Sequence, residues 1–358
     1  MKYELRQSQI DAQNAIDKYD KVLVEKSIRS GKTLTILDYI KKNNYKSVLW
    51  LVPDSSTRDK GLPEEIRKWN FKLNIIAICY NSLNKYSNKH FDLIVLDEVQ
   101  MLSEARYEVL TTITYNKLIA MTGTISNKHE KLDILFHKLG LRLVYSYSTD
   151  KAVKNKDVAP YKINILELPL KTTYDLVVNY KDGKGVARSF KSSEKKSYDN
   201  ITDRIRQAAG KRKMMLAIER MRFLNTLETK ITYIKKYIAD NKDKRILIFV
   251  ATQEMAEQCS RYYFHGNSTD RWYNEFQNGK INHLVLVEKG ATGHTYKNLD
   301  GCLLTTINSS NLLQQKIFRT ILFRENYTAN IDILISKDTI QNEWLSKALE
   351  NLDQNNIN

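Results

Sequence analysis

The chain has 358 residues, 42% of them hydrophobic and only 4 proline, which is enough for two packed domains without disulfide staples. No run approaches the roughly 18 apolar residues of a membrane span, and the N-terminus MKYELRQSQIDAQ lacks the apolar core of a secretion signal, so a cytoplasmic protein with no membrane partner is expected. The net charge is +16, and residues 151–240 alone carry 15 Lys and 6 Arg against 6 Asp and 4 Glu. A polyanion is the natural partner of such a segment, bound by counterion release, although a solvated Lys-rich surface gives the same count.

In chain order, KVLVEKS predicts a short strand, a Gly-Lys-Thr turn follows at 31–33, and TLTILDYIKK has the apolar spacing of a helix. Strands are predicted at SVLWLV, LNIIAIC, FDLIVLDE and KLIAMTGT, with helices such as LPEEIRKW and EARYEVLTTI between them. Apolar strands alternating with helices point to a parallel sheet covered on both faces, an α/β domain over residues 1–150. A second α/β domain is predicted over 151–358, with strands at YKINILELPL, RILIFVAT, INHLVLV, GCLLTTI and NIDILIS. Between the first two of these lies a basic segment at about 172–240. In it, KDGKGVARSFKSSEKKSYDN reads as a mobile loop. Met214, Ile218, Met221, Leu224, Leu227, Ile231, Ile234 and Ile238 step by three or four, predicting one long helix with its stripe in the core.

The turn SIRSGKT is a candidate phosphate cradle. In such a cradle, backbone N–H groups at a helix start surround the β- and γ-phosphates, a Lys ammonium bridges them and the next hydroxyl binds Mg2+. Lys32 and Thr33 fit those roles, with Arg29, Ser30 and Gly31 lining the turn. Two positions depart from the full pattern: Lys26 and Arg29 stand where Gly is usual. The companion is DLIVLDEVQ at the predicted carboxyl end of a strand. There Asp97 would hold Mg2+ through water, and Glu98 would polarise the water that attacks the γ-phosphate. An Asp-Glu pair by itself can be an ordinary strand end, and SGKT alone is weak. In combination they point to an ATP hydrolase that uses ATP and Mg2+.

Taken in order, these motifs resemble those of the superfamily 2 helicases and translocases, DExx-box and Swi/Snf-like in type, over nearly the whole chain. The resemblance implies two tandem RecA-like P-loop domains with parallel sheets. It carries adenine reading onto Gln9 of LRQSQIDAQ, and the nucleic-acid grip onto Arg58 of WLVPDSSTRDKG and onto Tyr80 and Ser82 of AICYNSL. Coupling falls to Gln100 and to Thr122, Gly123 and Thr124 of IAMTGTISN. In the second domain Thr252, Thr292, Gly293 and His294 are implied near nucleic acid, and Gly290 near ATP. The last motif, QQKIFRTILFREN, supplies Gln315 and Arg319, but Leu322 stands where a second Arg is expected. Arg324 is the candidate substitute; without one, hydrolysis would be slow.

The expected output is movement along nucleic acid, DNA favoured over RNA, by a monomeric motor, with a partner protein supplying any wedge or loading function. The small, Asn- and Lys-rich chain has a phage-like style. Two alternatives stand beside this reading: an RNA helicase of the same superfamily, and a nucleic-acid-binding or annealing protein whose ATPase is weakened at Lys26, Arg29 and Leu322.

Overall fold

The structure, a computed structural model, describes residues 3–27, 30–123, 130–181, 185–287, 296, 298–307, 313, 316–317, 324–350 and 352–358. The chain divides into two compact units, one built mainly on residues up to Pro160 and the other mainly on residues from Tyr161 onward.

In the first unit the described strands are β1 (Lys21–Lys26), β2 (Val48–Val52), β3 (Ile75–Cys79), β4 (His90–Leu96), β5 (Thr114–Thr122) and β6 (Arg142–Tyr147). All pair in parallel, in the order β3-β2-β4-β5-β1-β6. The apolar runs of the central strands have a simple cause, because each face of the sheet has its own core. Leu23, Leu49, Leu51, Ile94, Leu96 and Leu118 pack on one side. Val22, Val24, Val48, Trp50, Val95 and Ile119 pack on the other. Successive side chains alternate between faces, so a strand covered on both sides must be apolar throughout. The strand β6 lies outside the sequence prediction. It is an edge strand whose polar and apolar residues leave it only partly buried, which hides it from a search for continuous apolar runs.

Parallel pairing brings the carboxyl ends of β1 and β4 to the same edge of the sheet with β5 between them, the edge where open α/β sheets bind ligands. Two helices flank this edge: α1 (Gln7–Ile16) and α2 (Lys32–Asn43), which follows the turn after β1.

The second unit contains β7 (Tyr161–Leu168), β8 (Leu176–Lys181), β9 (Ala187–Ser192), β10 (Ile246–Val250), β11 (Tyr263–Phe264), β12 (His283–Val287), β13 (Gly301–Leu304) and β14 (Ala329–Ser336). Six of these form a parallel sheet in the order β11-β12-β10-β13-β14-β7, while β8 and β9 pair separately as an antiparallel ribbon.

The basic segment differs from its prediction in two ways. The expected mobile loop, residues 181–200, contains the last residue of β8, all of β9 and the first seven residues of a helix at Glu194–Gln207. The expected single helix is two, Gly210–Asn225 and Glu228–Asp240. At the break the Thr226 hydroxyl donates to the Arg222 carbonyl at 3.0 Å, the local bonding by which such residues compete with helix, and the Asn225 amide oxygen accepts from the distant Gln341 at 3.2 Å. The pieces also serve different cores. Leu216 packs on Ile201 and Ile205, Leu224 and Leu227 pack on Leu170 and Tyr198, and Ile234 packs on the sheet. Met214 and Ile218, expected in the core, are exposed.

Candidate active site

The turn after β1 is closed by its own backbone. Ser27 N–H donates to the Tyr147 carbonyl on β6 at 2.9 Å, and Ser30 N–H donates to the Ser27 carbonyl at 3.2 Å. Ser30, expected among the phosphate ligands, also turns its buried hydroxyl onto the Ser27 carbonyl. Both Ser30 donors are thus engaged by the Ser27 carbonyl. Gly31 sits at φ 85°, where a side chain is strained, and a Cβ there would lie 2.7 Å from Gln9 Nε2. The residue type is therefore required twice at this one position.

Gly31 caps α2, and the first intrahelical bond is Thr35 N–H to the Gly31 carbonyl at 3.1 Å. The N–H groups of Lys32, Thr33 and Leu34 precede that bond and lack helical acceptors, which makes this end receptive to anions. The Lys32 ammonium donates to the Lys26 carbonyl at 3.1 Å and stands 3.9 Å from Glu98 Oε1. Gln9 is buried; its amide donates to the Gly31 carbonyl at 3.0 Å and accepts from Arg6 N–H at 2.9 Å. One N–H and one lone pair of that amide remain.

Lys26 explains its own departure from the glycine pattern. Its side chain runs inward, fully buried, with Nζ 5.4 Å from the centre of the Tyr147 ring and donating to Ser8 Oγ at 3.3 Å. Ser8 and Tyr147 both donate to Asp157 Oδ2 at 2.9 Å, and Arg6 stands 3.4 Å from Asp157 Oδ1. Burial pulls the Lys26 ammonium down to about 7, opposed by the charge of Asp157. The backbone carbonyl meanwhile faces Lys32, so the side chain leaves the cradle open. Sequence reasoning missed this cluster; its one local signal is a Lys where Gly is usual.

At the end of β4, Asp97 is pinned through its backbone. Its N–H donates to the Leu51 carbonyl at 2.9 Å, and its carbonyl accepts from the Tyr80 hydroxyl at 2.9 Å. Tyr80, expected to grip nucleic acid, is buried beneath this strand end and serves as its prop. Burial holds the phenol well above its ordinary range, so the proton stays on as donor. Asp97 keeps part of its surface open yet is densely surrounded. Burial first, and the Glu98 charge second, push its carboxyl above the usual carboxylate range, against the pull of Lys32. Glu98 adopts φ 51°, uncommon for a residue with a side chain and a form of strain that concentrates at functional sites. Gln100 Nε2 donates to Glu98 Oε2 at 2.6 Å, while Gln100 Oε1 is buried with no hydrogen bond.

Two adjacent carboxyl groups therefore face one ammonium, and the inner one is pushed toward neutrality. Such a donor set fits a divalent cation, whose charge would restore the Asp97 carboxylate; Thr33 and Asp97 are the residues that would hold Mg2+.

Other expected residues are located as follows. Thr122 ends β5, the strand between the two site strands, and Gly123 follows it; both are buried. Ser82 lies half-buried in the 3-10 turn Tyr80–Tyr86. Arg58 makes a bidentate pair with Asp59, at 2.6 and 2.8 Å. Thr252 follows β10 and caps the helix Gln253–Cys259 by accepting from Met255 N–H at 3.1 Å. The Arg324 guanidinium lies 3.6 Å from the centre of the Tyr327 ring. Arg29, Thr124, Gly290, Thr292, Gly293, His294, Gln315, Arg319 and Leu322 lie outside the described residues.

Two six-stranded parallel sheets, one with a Gly-Lys-Thr turn and an Asp-Glu strand end at the same edge, define a chain of tandem RecA-like α/β architecture. Among solved structures with this fold is one described as the ATP-dependent Type ISP restriction-modification enzyme LlaBIII bound to DNA. It matches at a TM-score of 0.63 and 15% sequence identity, over 99% of this chain and 30% of that one. No family model and no curated protein matches the sequence. Among the described residues no helix is long and apolar enough to cross a membrane.

Proposed function

We propose that the chain is an ATP-dependent nucleic-acid motor acting on DNA in preference to RNA. The observation that carries this reading is the meeting of Lys32 and Glu98, 3.9 Å apart, at the shared edge of β1 and β4. The preference for DNA draws on the fold shared with an enzyme described as bound to DNA. The finer assignment, a DExx-box, Swi/Snf-like translocase, rests on the order of the motifs in the sequence.

In this mechanism Lys32 leaves the Lys26 carbonyl for the β- and γ-phosphates, which also meet the free N–H groups at the start of α2. The spare N–H and lone pair of Gln9 read the adenine edge. Gln100 holds Glu98 in place to polarise the attacking water. When bound, Mg2+ supplies charge neutralisation at the phosphates. Arg319, with Arg324 as the substitute for the Arg missing at Leu322, contributes positive charge to the transition state. Thr122 and Gly123, beside both site strands, relay the state of the site.

The test is the hydrolysis rate of the purified chain, alone and with duplex DNA, single-stranded DNA or RNA, beside Lys32→Ala. Duplex DNA is expected to stimulate hydrolysis, and Lys32→Ala to lower it by roughly 100-fold or more. Stimulation by RNA alone would assign the chain to the RNA helicases. Salt-sensitive binding with no hydrolysis would assign it to the annealing proteins.

A further inference from the structure

Seven of the thirteen large hydrophobic side chains exposed among the described residues fall between Tyr174 and Ile218. The same stretch is strongly cationic. Residues 171–222 carry 14 Lys and Arg against 6 Asp and Glu, a net +8 and half the charge of the whole chain. Apolar and cationic groups are interleaved most closely on the β8–β9 ribbon. Every residue from Gly185 to Lys191 is exposed, so this strand is solvated on both faces. Val177 pairs with Lys191 on one face, and Val178 pairs with Phe190 on the other, where Arg188 lies two residues from Phe190 and on the same side. Phe190 is 51% exposed and Tyr174 55%, with the Lys196 ammonium 5.3 Å from the centre of the Tyr174 ring.

A two-stranded ribbon is marginal in water without a partner, and exposed apolar side chains on one mark a contact surface. The charge selects the partner class. Lys is depleted from protein–protein contact surfaces, whereas aromatic side chains beside Lys and Arg are the composition that grips nucleic acid, rings on bases and cations on phosphates. The rings also select the strand state. In a duplex the base faces are already stacked on one another, so an aromatic side chain gains most on unpaired bases.

We propose that the β8–β9 ribbon binds an unpaired nucleic-acid strand, Phe190 stacking on a base while Arg188, on the same face, holds a flanking phosphate. The ribbon thus provides, within the chain, a surface for an opened strand. It deepens the motor reading above and rests on it for the polymer, but the contact itself needs no ATP.

The experiment is fluorescence anisotropy of the full chain with a labelled oligothymidine and with a blunt DNA duplex, between 50 and 200 mM salt, alongside the basal ATPase rate. Phe190→Ala is expected to weaken oligothymidine binding by roughly 5- to 100-fold and leave duplex binding nearly unchanged, with Phe190→Tyr restoring it. Arg188→Ala is expected to weaken oligothymidine binding and reduce the slope of log affinity against log salt by roughly 0.7. Basal hydrolysis is expected to stay at the wild-type rate in all three, and Lys32→Ala to leave oligothymidine binding intact. Wild-type oligothymidine affinity in Phe190→Ala overturns the proposal. So does loss of self-association, or of binding to anionic vesicles, at unchanged oligothymidine affinity, since the ribbon would then serve a second copy or a membrane. A chain that binds oligothymidine through Phe190 but hydrolyses no ATP with any polymer leaves this proposal standing and removes the motor reading.

Discussion

Gly31 and Gln9 act as a pair, because the space a Cβ would take is filled by the Gln9 amide. Gly31→Ala is expected to lower stability by about 1–2 kcal/mol, from the left-handed backbone and the displaced amide. Adding Gln9→Ala should cost less than the sum of the two single changes, since the clash is already relieved; a double-mutant cycle by urea denaturation reads the difference. Lys26 makes a pH-dependent prediction. Its ammonium releases its proton at about 7 when folded against 10.5 ordinarily, so between those values the unfolded chain holds the extra proton. Stability therefore rises with pH across that window, by up to roughly 1.4 kcal/mol per pH unit from this group. Asp157, Arg6, Lys32 and Asp11 are the charges it feels. Lys26→Met is expected to flatten the rise, measured as the stability difference from wild type at pH 7.5 and 9.5.

In the second unit, separate elements are tied by a buried polar group. Lys230, on the helix Glu228–Asp240, is fully buried and donates to the Thr305 carbonyl after β13 at 3.2 Å and to Gln341 Oε1 at 3.1 Å. Gln341 Oε1 also accepts from Ser336 N–H at the end of β14 at 2.9 Å. Burial pulls the ammonium down to about 7, with Glu194 opposing. Gln341→Leu takes an acceptor from both donors, leaving the buried ammonium with the Thr305 carbonyl alone, and is expected to lower stability by about 2–5 kcal/mol, whereas Lys230→Met, which removes the charge itself, should lower it less. Denaturant midpoints of the two variants check the ranking. The same glutamine shows why one helix was expected where two exist. Its bond to Asn225 spans 116 residues, and an apolar stripe of three- and four-residue steps carries no trace of it. The ribbon was misread for a different reason. Its alternation is short and flanks the sequence KDGKG, a composition that loops share.

For the whole molecule, the +16 charge predicts nucleic-acid binding that weakens steeply with salt. A contact with about six phosphates would lose roughly 1,000-fold in affinity between 50 and 200 mM, a titration that a weakly charged contact would leave nearly flat. The α/β class, the parallel strands and the pairing of a Gly-Lys-Thr turn with an Asp-Glu strand end were legible because each is written in a few adjacent residues: apolar runs, a glycine and the polar groups that follow. The props behind them were not. Tyr80 under Asp97, Ser30 folded onto Ser27 and the Lys26 side chain turned toward Ser8 depend on which buried donors find acceptors. The sequence by itself determined which strands and turns would carry the site. Only the tertiary structure decided which polar groups support it, since their partners, such as Ser8 and Asp157 at a separation of 149 residues, meet only when the chain has folded.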